Sequence, residues 1–119
     1  MAHADIREYF SATHPRTGET RRFVAVGFLQ NKEKPILGDE MLRRVPGAIG
    51  EEDSDFLDAC VEQEWSEDLG DYYLATNRRS PHHSRSAQCY YRYGSRWDQS
   101  WKGLGRRWDY DCLVVCRCE

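Results

Sequence analysis

The sequence predicts a single α+β domain, a mostly antiparallel sheet of about five strands with two helices inserted, in the order ββααβββ. Three observations lead there. Strand-like alternation opens and closes the chain, the two helical patterns fall together between those ends, and 119 residues suit one domain.

The elements follow in order. In DIREYFSATH, Ile6, Glu8 and Phe10 alternate with Arg7, Tyr9 and Ser11, which reads as a strand near 6–13, and Pro15 and Gly18 then punctuate a turn. RRFVAVGFLQ is apolar on both faces, Phe23, Ala25 and Leu29 against Val24, Val26 and Phe28, so a strand near 21–30 is expected to be central. NKEKPILG reads as a loop, since Pro35 bars a helix before it. In GDEMLRRVPG, Asp39 suits an N-cap, Glu40 the first turn, Arg43 and Arg44 the last, and Pro46-Gly47 a stop, giving a short helix near 39–45. EEDSDFLDACVEQEWSEDLG spaces Phe56, Leu57, Cys60, Val61 and Trp65 helically behind an acidic first turn, predicting a helix near 52–66 that Gly70 ends.

Sheet returns after that. DYYLAT predicts a strand near 71–76, NRRSPHHSRS a polar loop, and AQCYYRY a strand near 87–93 with Cys89, Tyr91 and Tyr93 on one face. GSRWDQSWKGLG is ambiguous, because Trp97 and Trp101 stand four apart, a spacing that fits one helical turn or alternate positions of a strand. WDYDCLVVCRC predicts a last strand near 108–118, with Trp108, Tyr110, Cys112, Val114, Cys116 and Cys118 on the side of a one-sided core.

Charge is unevenly spread. The formal net charge is −3, yet residues 51–71 carry ten acids and no base, whereas 72–119 carry nine bases against four acids. An electrically polar molecule is expected, with an acidic helix and a basic, aromatic stretch. No run approaches the roughly 20 apolar residues that cross a bilayer, and MAHADIREYF lacks the apolar core of a secretory leader, so a cytoplasmic address without membrane contact is expected. Five cysteines, an odd count, argue against a disulfide framework.

Few residues carry recognisable chemistry. There is no GxSxG, HExxH, GxGxxG or phosphate-loop pattern, so catalysis and cofactors are not expected. Cys112 and Cys116 lie about 13 Å apart along a strand, at ~3.3 Å per residue, too far to share a zinc ion. A metal site, if present, needs Cys116 and Cys118 joined by Cys89 or by His82 and His83; buried thiols acting as small hydrophobes are the simpler reading.

The leading expectation is therefore a non-catalytic protein that docks a protein partner, in the manner of small accessory or inhibitor proteins. Asp55, Asp58, Glu62 and Glu64 are the candidate contacts for a basic partner, and Arg96, Trp97, Trp101, Arg106 and Arg107 for the opposite surface. The alternative is nucleic-acid binding through 78–107, where eight bases and one acid are interleaved with tyrosines and tryptophans. A third reading, zinc support or catalysis, rests on the cysteines and histidines above.

Overall fold

The amino-terminal hairpin forms where alternation places it. β1 (Ile6–Thr13) and β2 (Thr20–Gly27) pair antiparallel from Ile6 opposite Gly27 to Thr13 opposite Thr20. Gly18 closes the turn with φ +76° and its N–H on the His14 carbonyl at 3.0 Å, a left-handed conformation that costs glycine nothing sterically. The structure, a computed structural model, describes residues 4–28, 35–61, 65 and 68–118.

The main sheet has six strands in the order β1-β2-β8-β4-β5-β6, where β4 is Tyr73–Arg79, β5 Ser86–Tyr93, β6 Arg96–Gly103 and β8 Cys112–Cys118. All neighbours are antiparallel except β4 and β8, which run parallel with Ala75 opposite Val114. A second sheet pairs β3 (Ile36–Leu37) with β7 (Arg107–Trp108). The predicted α+β class is thus observed, with β6 and the small sheet added.

The two helices take opposite faces. α2 (Glu51–Cys60) lays Phe56, Leu57 and Cys60 on Phe10, Phe23, Leu74, Tyr90, Leu113 and Val115; Phe56 and Leu57 each contribute about 1.5–3 kcal/mol by leaving water. α1 (Gly38–Arg44) brings Met41 and Leu42, followed by Val45, against Val26, Ala75, Cys112, Val114 and Trp108. Cys112 to Val115 are consequently buried on both sides. β8 is a central strand, not the one-sided one expected, because α2 covers Leu113 and Val115 while α1 covers Cys112 and Val114.

Other boundaries also shift. The strand expected at 108–118 is cut at Asp109–Asp111, where Cys112 donates its N–H to Asp109 O at 3.0 Å; Trp108 belongs to β7 instead. Asp39 lies inside α1 and does not cap it: Leu37 is the N-cap, and the first helical N–H groups, those of Gly38 and Asp39, find the carbonyls of Arg106 and Leu104 at 3.0 Å each. α2 ends at Cys60, so the helix predicted to 66 is shorter among the described residues, and Gly70 sits in a 3₁₀ turn, Asp68–Asp71. Of the loop expected at NKEKPILG, residues 31–34 lie outside the described residues and Ile36 and Leu37 form β3. Trp97 and Trp101, four residues apart, resolve as one face of a strand, with Asp98 and Ser100 on the other.

Candidate functional site

The acidic helix is met from below by arginines. Arg78 on β4 reaches Asp58 Oδ2 at 2.7 Å, hydrogen-bonds Asp55, and donates to the Glu51 carbonyl at 3.1 Å. Its Nε lies 3.0 Å from Glu51 Oε2, close enough for an ion pair but without hydrogen-bond alignment. Arg21 on β2 takes Glu19, Asp53 and Glu52 at 2.7, 2.8 and 3.4 Å while crossing the Phe56 ring at 4.3 Å, and Arg117 on β8 takes Asp53 at 2.9 Å. Burial works against the Arg78 charge, but hydrogen bonds and charge from Asp58 and Asp55 more than offset it, and its pKa is raised.

Asp58 is the hub of this cluster. Its Oδ1 accepts from Tyr90 Oη at 2.7 Å and from Gln88 Nε2 at 2.9 Å, completing three donors with Arg78. Burial, then the Asp58 contact, pushes the Tyr90 phenol far up, so it stays protonated and donates. Of the four predicted acidic contacts, Asp55 and Asp58 are therefore engaged within the fold; Glu62 and Glu64 lie outside the described residues.

The basic stretch behaves differently. β6 is an edge strand of the main sheet, and where it ends, Trp101, Lys102, Arg106 and Arg107 line an open groove of about 490 Å³ with Ser86 and Gly103, floored by the buried Trp108. Trp108 is fixed by its Nε1–H on Gly103 O at 2.9 Å. A Cβ on Gly103 would stand 3.4 Å from the Arg106 stem, so the glycine leaves room for that arginine to lie across it. Among the described residues no carboxylate lines the groove and none pairs with Lys102, Arg106 or Arg107. Lys102 Nζ instead sits 4.5 Å over the Tyr73 ring, which tilts against Tyr91 at 6.3 Å.

Comparison with known protein families, with curated proteins and with solved structures finds no match. The geometry of the groove is accordingly the starting point for function.

The structure brings Trp101, Arg106 and Arg107 together, as the sequence grouped them, and separates the other two. Trp97 is 3% exposed and stacks on Trp65 at 5.0 Å, making it a core residue with no outward contact surface. Arg96 is exposed at the hairpin turn, seven residues and about 23 Å along the strand from Gly103. Lys102 and Tyr91 belong to the basic, aromatic stretch 78–107 that the sequence offered for nucleic acid, though not to the partner contacts, and Tyr73 to neither; only once β6 is known to be a strand do Lys102 and Tyr91 share a face.

The cysteines do not converge as a metal site would require. Cys89 meets Cys112, whose pKa is driven well up by the thiol contact and by burial, while Cys116 and Cys118 lie farther along β8 beside β2. His82 and His83 stay exposed in the β4–β5 loop, where their backbone N–H groups bond Ser80 Oγ at 3.2 and 3.3 Å. Among the described residues, no three of His, Cys, Asp or Glu are placed to hold a metal ion, and no helix is long and apolar enough to cross a membrane.

Proposed function

We propose that this chain is a non-catalytic binding protein whose contact surface is the groove at the end of β6, and that the groove takes single-stranded nucleic acid. One observation carries the reading: Trp101, 40% exposed, stands beside three cations that no carboxylate among the described residues neutralises, while the acids of α2 are already held by Arg21, Arg78 and Arg117. Stacking rings give sequence-tolerant contacts and cations track the phosphates. Tyr73 and Tyr91, joined to the groove through Lys102, extend the ring surface.

The salt dependence of binding tests this. A labelled single strand is retained at 50 mM salt, and each of Lys102→Ala, Arg106→Ala and Arg107→Ala flattens the slope of log affinity against log salt by about 0.7. Failure of every strand to bind at 50 mM salt dismisses the reading.

Docking of a basic protein partner on α2 is the second reading, and it has an observation of its own. The side chains of Glu52 and Asp55 remain 86% and 73% exposed despite their arginine contacts, so a stronger cationic surface has access to them. Reversal to Glu52→Lys and Asp55→Lys abolishes partner capture on this reading; unchanged capture removes it.

A further inference from the structure

On the face of the sheet that α1 covers, an open pocket of about 220 Å³ lies between the carboxy-terminal end of that helix and strands β1, β2 and β8. The strand register fixes which side chains meet there. Arg7 stands opposite Val26 and Val24 opposite Cys116, and Val26 in turn faces Val114, which packs under α1, so all of them project from one face. Arg44 closes the other side from the last turn of α1, with Val45 and Pro46 following it. Val26, Phe28 and Val45 belong to one buried cluster, and Val24 and Cys116 are only half-buried against it. The wall they make is apolar and reachable from outside.

Two guanidiniums border that wall, those of Arg7 and Arg44. Arg44 lies over the Phe28 ring at 5.3 Å and its Nε meets Glu40 at 3.3 Å, but Glu40 is shared with Arg43 at 2.9 Å, so one carboxylate answers two cations. Arg7 is exposed and has no carboxylate partner among the described residues, none of whose acids lines the pocket. Its charge acts inward as well: burial pushes the Cys116 thiol up, and Arg7 pulls against that rise. The pocket thus joins an apolar interior to a rim with positive charge in excess.

We propose that this pocket binds a compact monocarboxylate, with its apolar tail against Val24, Val26, Phe28 and Val45 and its carboxylate on Arg7 at the rim, where Arg44 adds to the positive field. A guanidinium fork matches the planar carboxylate, and burying the tail supplies the apolar part of the binding. The volume, about that of seven water molecules at ~30 Å³ each, suits a tail of about six carbons. The site shares no lining residue with the basic groove at the end of β6 and does not rest on the nucleic-acid reading.

Hexanoate, hexanol and hexylamine, titrated through the millimolar range into the isotope-labelled full chain and followed by its amide NMR signals, test the assignment. Hexanoate should move the signals of Val24, Val26, Val45 and Cys116 and bind about tenfold more tightly than hexanol, the difference of one charge-assisted hydrogen bond. Hexylamine should leave those signals in place. Arg7→Ala should remove the advantage of hexanoate over hexanol, and Val24→Phe, which fills the pocket, should block both. Equal binding of hexanoate and hexanol, an advantage that survives Arg7→Ala, or no movement with any of the three overturns the proposal. Changes at the same signals with protein concentration alone put a second copy of the chain in the pocket and overturn it too. Should Val24→Phe fail to fold by circular dichroism, the comparison of hexanoate with hexanol on the unaltered chain and on Arg7→Ala decides.

Discussion

A phenol with one proton and two oxygens in reach shows how the residues divide their work. Tyr90 Oη lies 2.7 Å from Asp58 and 3.0 Å from the Ser54 carbonyl, and its single O–H donates chiefly to the closer carboxylate oxygen. Tyr90→Phe should cost about 1–3 kcal/mol in urea unfolding, because Asp58 loses a buried donor but keeps Arg78 and Gln88. Thiols respond to pH in a definite direction. Cys60 and Cys116 are raised chiefly by burial and Cys112 by its contact with Cys89 and by burial, so each pKa is higher folded than unfolded. Their contribution is fully present below the unfolded thiol value of about 8.5 and drains away as pH climbs through the folded values. Melting temperature should fall from about pH 8.5 upward, and Cys112→Ala should make that fall shallower even though it lowers the melting temperature at pH 7. At this scale the sequence was informative about identity but mute about pairing. Arg78 and Asp58 stand twenty residues apart, and nothing in a one-dimensional pattern says which of nine bases in the carboxy-terminal part will reach α2.

Among the elements, legibility followed periodicity. β1 was readable to its ends because one of its faces is the more buried, with Phe10 and Ala12 inward and Tyr9 and Ser11 outward. β6 was not, since a four-residue spacing of tryptophans satisfies two periods at once and only pairing with β5 decides between them. β3 and β7, two residues each, are too short to show any period; their pairing sets Ile36 opposite the fully buried Trp108. Gly38 belongs to that arrangement. A Cβ there would lie 2.5 Å from the Trp108 ring, so α1 can approach the indole only through a glycine. Gly38→Ala should therefore destabilise by about 1–3 kcal/mol, the usual cost of overpacking, and should disturb the groove that Trp108 floors, visible together as a lower melting temperature and weaker strand binding.

For the molecule as a whole, the charge asymmetry counted along the chain turned out to be partly an internal matter. The acidic segment meets Arg21, Arg78 and Arg117 in the fold, while Lys102, Arg106 and Arg107 cluster near the open end of β6 with no carboxylate paired to them among the described residues. The candidate site was thus half legible: Trp101, Lys102, Arg106 and Arg107 stand in the basic, aromatic stretch, whereas the approach of Lys102 to Tyr73 depends on which residues share a face. The placement of β8 between β2 and β4 has a further result. It is the last described element to leave the ribosome, and until it does, the β1–β2 hairpin and the β4–β5–β6 meander have no strand to join them. Each half then presents a bare backbone edge and an uncovered apolar face. Nascent chains stalled before Cys112 emerges should be cleaved by protease in both halves and should bind chaperones, while chains extended past Cys118 become resistant in one step, so the two halves wait on a single strand to fold together.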